Sequence, residues 1–465
     1  MRRFFVVAVS FMLFSVIVSA SETAVFIRGT RVLGMGGSFT AISDDQNAFF
    51  FNPAGLTQRQ GGQFTLFELP VTITEDALKF YQFYQDNEDK MSDFEELDPT
   101  EKADLVSEIN NTVTRYKTRV RLGFPNVSYL SGPGFISWGL GVFDQADIGF
   151  QIKQGIIIPN IDFWGNLDVV AALPLAHRFD SVPYIPGKMS VGITPKLINR
   201  GKIAEYNKSI LEFSDFSPLI QMGQGYGFDL GTLYQPNERW NAAVTVNDFG
   251  GTAISYARVE STKDGVTTVK DASVGVIMPR WNIGGAYVPS KICYWPGKSI
   301  STKDRLILAI DMYDLFNDRE TLDNETMWKK LHMGAEFRIY TLSIRGGYNS
   351  GYASFGAGIG VPYLGLNIDY AYWGDELGRY AGQLAEWNHQ INLSMKWGGM
   401  NGRSYGNSDT KAAETAKPIN ADPAAAPPVT EAPVPPAAES VPSAPAAPVV
   451  ETAPAAPLNT PAASQ

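Results

Sequence analysis

Six ionisable side chains recur late in the chain at alternate positions of apolar runs: Asp311, Glu336, Arg338, Arg345, Asp369 and Lys396. Residues two apart on a strand share a face. These carboxylates, guanidiniums and one ammonium therefore collect on one side of a sheet. Such a set either satisfies itself by ion pairing or lines a polar permeation or headgroup site. A second constellation lies near the start: Gly34-Met-Gly36-Gly37, then Asp44-Asp45, then Asn52-Pro53-Ala54-Gly55. The glycines permit a tight backbone path, and Asp-Asp and Asn-Pro form turns. A nucleotide loop would need a third glycine at the dinucleotide spacing or a Gly-Lys-Ser/Thr element, and both are missing. His177, His332 and His389 are too scattered for a metal motif. No Gly-x-Ser-x-Gly element is present. These residues predict no catalytic group, no metal and no cofactor.

The elements that carry the charged face are long strands. Trp387, His389, Ile391, Leu393, Met395 and Trp397 fall on one face of the last one. Asn388, Gln390, Asn392, Ser394 and Lys396 fall on the other. A transmembrane β-strand needs ~9–11 residues and is flanked by aromatic girdles, whereas a soluble sandwich strand usually has ~5–6. The same alternation runs through Leu306–Met312, Met333–Ile339, Leu342–Tyr348 and Leu364–Tyr372. A two-residue turn at Tyr340-Thr341 sets Ile339 opposite Leu342 and Phe337 opposite Ile344. That register also predicts an ion pair inside the barrel between Glu336 and Arg345. Alternating segments number about fourteen, with 203–215 and 253–259 ambiguous, and single-chain bacterial barrels have even strand numbers.

Composition divides the chain. Residues 1–20 read as a signal peptide: basic Met1-Arg2-Arg3, an apolar stretch to Val18, then Val18-Ser19-Ala20 as the cleavage site. Residues 21–62 are the glycine-punctuated segment, and 63–399 carry the strands. The insert at about 75–116 reads as two short helices after the first strand, with Asp98 as N-cap and Pro99 at the first helical position. It would lie at the extracellular mouth or fold back into the lumen. Residues 400–465 are Pro/Ala-rich and predicted to be disordered, serving as a periplasmic arm or as an unselective tail. The single cysteine, Cys293, excludes an intrachain disulfide. The formal charge is −10, with no basic cluster after the leader, which argues against nucleic acid.

The Gly-Met-Gly-Gly element, the Asp-Asp pair and Asn52-Pro-Ala-Gly-Leu56 resemble the N-terminal signature of the FadL-like outer-membrane proteins, a superfamily that includes PorV-type members. Later stretches fit in order: Gly227-Phe-Asp229-Leu-Gly231 resembles the family's central strand, and Val246-Asn-Asp248-Phe-Gly250 its following turn. Asn282–Tyr287, Ala309–Asp311, Gly334–Glu336, Arg345–Tyr348 and Asp369–Tyr372 also fit. The resemblance implies an all-β fold: a transmembrane antiparallel barrel of fourteen strands in the outer membrane of a Gram-negative type cell, with an N-terminal lumen plug. Gly34, Gly36, Gly37, Asp44, Asp45, Asn52, Pro53, Ala54 and Gly55 would form that plug, either movable or static. Two functions stay open. One is passive uptake of hydrophobic or amphipathic small molecules of the long-chain fatty acid type, through a kink or gap in the wall. The other is a PorV-like barrel that binds a periplasmic or secretion partner through its tail. Either would have outer-membrane lipid around it.

Overall fold

The computed structural model describes residues 20–25, 28–94, 96–154, 159–209, 219–263, 266–295, 298–302, 305–316, 326–361 and 363–398. Residues 1–19 and those beyond Gly398 lie outside them, and with them the expectations of a signal peptide, apart from its last residue Ala20, and of a disordered tail. Within them the chain forms one closed barrel of fourteen antiparallel strands. These are β1 (Gln63–Thr74), β2 (Lys117–Leu122 with Val127–Leu130), β3 (Ser137–Lys153), β4 (Asn160–Ala172 with Leu175–Phe179) and β5 (Lys188–Ser209). They continue with β6 (Ile220–Gln235), β7 (Trp240–Asn247 with Thr252–Tyr256), β8 (Ser273–Ile277 with Arg280–Tyr287), β9 (Leu306–Met312) and β10 (Leu331–Ile339). The last four are β11 (Leu342–Asn349), β12 (Tyr352–Val361), β13 (Leu366–Glu376) and β14 (Ala385–Gly398). Closure comes from β14 on β1, from Gln63 opposite Gly398 to Thr74 opposite Asn388.

The faces are inverted relative to a water-soluble protein. Ile391, Ile359, Ile344, Ile310 and Leu140 are more than half exposed on the outer wall, while Asn388, Gln390, Asn392 and Ser394 are buried within. A contiguous apolar exterior of this extent needs lipid around it. Stacked aromatics lie at both rims, Phe64 on Trp397 at one end of β14 and Tyr372 on Trp387 towards the other. They form the girdles that outer-membrane barrels carry. The short-turn end, which holds Tyr340-Thr341, faces the periplasm by the same rule.

Two segment assignments change. The stretch 188–200 and the described part of 203–215, up to Ser209, are one strand, β5, paired with β6 without interruption from Lys188 to Ile203. Conversely, Asp248-Phe-Gly-Gly251 is not a chain reversal. Asp248, Gly250 and Gly251 take positive φ and interrupt β7, which then resumes along β6. The other interruptions hold Pro125, Pro174 and Pro279, which cannot donate to a ladder.

The insert holds three helices rather than two: α-helices at Glu75–Asp86, Glu88–Ser92 and Pro99–Thr112. Asp98 caps the third with a reciprocal capping box to Glu101, and Pro99 occupies its first turn. Phe83, Leu105, Ile109 and Val113 pack on Ile152 and Ile161 at the extracellular ends of β3 and β4. The insert therefore sits on the rim rather than in the lumen. Cys293 lies in a periplasmic hairpin (Lys291–Trp295 with Lys298–Ser301).

Candidate functional site

The lumen is filled from its periplasmic side by residues 28–62. Helix α1 (Thr30–Gly34) ends in Gly36 and Gly37, both at positive φ. A Cβ on Gly36 would meet the backbone of Met333 and Tyr348 at 2.5 Å, so only glycine lets this turn lie against β10 and β11. Asp45 then caps a short 3-10 helix (Gln46–Phe49), and Asn52 caps a second (Pro53–Gln58). The Asn52 side chain also donates to the Thr40 carbonyl at 2.9 Å and to Thr232 of β6 at 3.1 Å. Gly231 makes room for it, since a Cβ there would lie 2.1 Å from Asn52 Oδ1. Asn-Pro-Ala is thus fastened to the wall by a side chain set into a glycine recess.

Apolar contact seals the same level. Val32, Met35, Phe39, Ile42, Phe51 and Ala54 form one buried cluster with wall residues Leu233, Ala243, Ala286, Ile307 and Ala309. Phe49 and Phe50 meet Phe143 edge-on, with centroids 4.8 and 4.9 Å apart.

The polar face holds the plug by charge. Arg345 Nε lies 2.9 Å from Glu336 Oε1, in the register that the hairpin requires. Arg338 reaches Glu336 at 2.9 Å, and Arg345 reaches Asp369 at 2.7 Å. The group that completes this cluster comes from the plug. Arg31 sits 2.7 Å from each of Glu336, Asp44 and Asp45 and lies over the Phe39 ring. Burial opposes the charge on Asp45, but the Arg31 guanidinium holds its carboxyl below the usual carboxylate range. The six lumen residues do not make one network. Asp311 stands apart and accepts from the Phe39 and Thr40 amides at 2.6 and 2.7 Å. Lys396 pairs with Glu68, 3.4 Å away, which also accepts from Gln46 of the plug.

Sequence reading missed Arg31, Glu68 and three further clusters. Lys196 bridges Asp229 and Asp248. Arg119 and Arg121 share Asp147 and Glu386. Arg200 pairs with Asp168 and Glu22. Their strand members lie on the inward parity of their strands, a signal that was available, whereas Asp248 and Glu22 lie outside the strands. Among the described residues no group of three metal-binding side chains occurs.

Above the plug lies a vestibule of about 520 Å³, lined by both signs of charge, including Arg119, Arg121, Arg280, Asp147, Asp375 and Glu386. Arg28 and Gln145 separate it from a smaller cavity of about 20 Å³. Gly29, Asn47 and Phe50 line that cavity from the plug, and Asn126 and Asp144 from the wall. Asn126 belongs to the break in β2, where Asp144 of β3 accepts from the Phe124 amide at 2.5 Å and donates its own amide to Asn126.

Fold and lumen together define a plugged, lipid-facing antiparallel β-barrel. Solved structures similar to this chain include the Pseudomonas putida toluene transporter TodX, at 12% identity and TM-score 0.44, with 82% of this chain and 99% of that one covered. The Ralstonia pickettii toluene transporter TbuX is similar at 11% and 0.43, with 80% and 97% covered. A Pseudomonas aeruginosa FadL homologue is similar at 12% and 0.43, with 80% and 98% covered. No family model and no curated protein matches.

Proposed function

We propose that this barrel is a passive channel for amphipathic small molecules that runs past its plug rather than through it. The observation that carries this reading is the adjacency of vestibule, small cavity and wall break. The vestibule and the small cavity share Arg28 and Gln145, and the small cavity ends at the interruption of β2. The apolar seal around Phe39 and Phe51 makes withdrawal of the plug body costly, since burying one such ring contributes about 1.5–3 kcal/mol. A short sideways path needs less rearrangement. The charged vestibule favours a cargo with a polar head, and a long-chain fatty acid is one such cargo. Asn52, Pro53 and Ala54 act in this reading as the fixed floor.

A second reading, a partner-binding barrel of the PorV type, draws on the insert, whose Leu78 and Tyr81 are exposed at the rim. Lipid extraction with mass spectrometry of the purified protein separates the two, alongside uptake into protein-loaded vesicles. Bound amphiphile and uptake above the protein-free rate are expected. A stoichiometric protein partner with neither would overturn the channel reading.

A further inference from the structure

The outer wall carries a recess that the fold itself does not require. Ala242 of β7 stands opposite Gly285 of β8, and Tyr234 of β6 and Ile310 of β9 continue the row on either side. All four alternate with inward-facing neighbours and so point outward. Two small residues side by side leave a hollow of about 480 Å³, walled by Val244 and Ile283 of the next row. Gly285 has ordinary strand backbone, and a Cβ added there would meet nothing nearer than 3.7 Å. Its neighbour Gly284 differs, since a Cβ there would lie 2.3 Å from Asp311 Oδ1. Packing therefore demands Gly284 and leaves Gly285 free. The ladder beneath is continuous from Ala242 through Gly285 to Ile310, so the hollow is a surface recess and not an opening. An apolar recess left empty forfeits dispersion contacts on one side, and the medium outside this wall is lipid.

Charge is uneven at the foot of the same strands. The periplasmic connection from β8 to β9, residues 288–305, carries Lys291, Lys298, Lys303 and Arg305 against one carboxylate, Asp304. Among the described residues no carboxylate pairs with Lys291 or Arg305. Arg305 instead lies over the Tyr340 ring, 5.4 Å from its centroid. Tyr340 is 91% exposed and holds a φ of 53° in the two-residue turn from β10 to β11. Glycine or asparagine is the usual occupant of such a position, and a bulky residue there is kept at a cost in strain. Between recess and rim, Trp240 stacks on Tyr287 with centroids 4.3 Å apart, which marks the interface level. From Arg305 to Ile310 is about 17 Å of strand, and a tilt of about 40° sets the recess roughly 13 Å above Arg305. The hydrocarbon of one leaflet is ~15 Å thick. Cations, aromatic pair and apolar recess thus stand in the order of a phospholipid's phosphate, glycerol and acyl chain.

We infer that this face is a site for one anionic glycerophospholipid of the periplasmic leaflet. Its phosphate sits on Arg305 and Lys291, its headgroup lies against Tyr340, and one acyl chain fills the recess at Ala242 and Gly285. A second copy of the chain, docked about a two-fold axis, would bring like cations together, whereas the lipid brings the opposite charge. The site is independent of whether the barrel conducts. The test uses the full-length protein in phosphatidylcholine vesicles doped with phosphatidylglycerol that carries a diazirine midway along one chain. After illumination, label is expected in the peptides that hold Ala242, Gly285 and Ile310. It should exceed roughly twentyfold that from the same probe with a choline headgroup, since each of two cations near the surface contributes about fivefold. Lys291→Gln with Arg305→Gln should abolish this preference, and Gly285→Phe should clear the label from the recess. Even labelling around the wall of the unaltered protein overturns the site, and that measurement needs no variant to fold. Equal labelling by the two headgroups also overturns it. Unlabelled recess peptides together with a dimer in sedimentation would overturn it in favour of a second copy.

Discussion

Two buried carboxylates fasten the N-terminal part of the chain to the barrel, with different packing behind them. Glu336, on β10, is fully buried and receives Arg31 from the plug along with Arg338 and Arg345 from the wall. Glu22 reaches the other way, from the N-terminal segment to Arg200 and Lys202 on β5. Behind Glu336 stands the dry cluster of Met35, Phe39 and Ile42. Among the described residues of the N-terminal segment, Ala24 and Val25 pack on the lumen cluster, and Lys202 keeps 37% of its side chain exposed. A buried ion pair by itself contributes little net stability, but breaking one strands a charge. The plug body is thus locked by charge and packing together. The N-terminal segment is held mainly by charge: Glu22 and Arg200 are buried, and Lys202 alone is open to water.

The comparison breaks most severely at Glu336. Glu336→Leu leaves Arg31, Arg338 and Arg345 without their common carboxylate. The cost should exceed about 5 kcal/mol, since losing one buried partner costs about 3–5 kcal/mol. A heat-modifiability gel should show no compact folded band. Arg31→Met comes next, at about 3–5 kcal/mol. It removes only the plug's contribution, while Arg345 keeps Glu336 and Asp369. The barrel band should survive in that variant, and limited proteolysis should cut within residues 28–62. A protected plug would show that apolar packing alone seats it.

These charges also mark where the sequence was legible. Lipid outside and a polar lumen impose alternation, so β14 was readable residue by residue. A two-residue turn fixes register, so Glu336 against Arg345 followed from counting. The match of Arg31 to Glu336 did not follow, because 305 residues separate them. A lone arginine in a glycine-rich run has no spacing to read. The continuity of β5 from Lys188 to Ser209 was hidden because Asn199-Arg-Gly-Lys202 reads as a turn, whereas Arg200 is an inward residue paired with Asp168. The asymmetry between locked plug and light N-terminal segment depends on which pairs carry packing behind them, and sequence does not display that.

Smaller changes sharpen the contrast. Gly231→Ala drives a methyl group against the Asn52 side chain and should cost about 1–3 kcal/mol as an overpacked site. The loss should appear as a lowered thermal midpoint, with Gly285→Ala, on the open outer side, as the mild control. Acid acts more weakly and on one side only. The Asp45 carboxyl is depressed by Arg31, so its stabilisation is complete above the unfolded value of about 4. It is lost as pH falls through the lower folded value. Proteolysis of the plug by an acid protease should rise below about pH 4, and Asp45→Asn should already be susceptible at neutral pH. An equal response to acid in both would remove Asp45 from the lock.

Glu22→Gln should give the smallest effect on the barrel and the most local one. Arg200 keeps Asp168 through two bonds at 2.6 and 2.8 Å, and Lys202 can turn to water, so neither cation is stranded. The cost to the whole fold should stay near about 1 kcal/mol or less, as for a pair with one exposed partner. Hydrogen exchange should instead accelerate at the amides of residues 22–25 and along Ser273–Ile277, with the amides around Phe39 unchanged. Faster exchange at both places would mean that plug and N-terminal segment move as one unit, and the packing behind the two carboxylates would then make no difference.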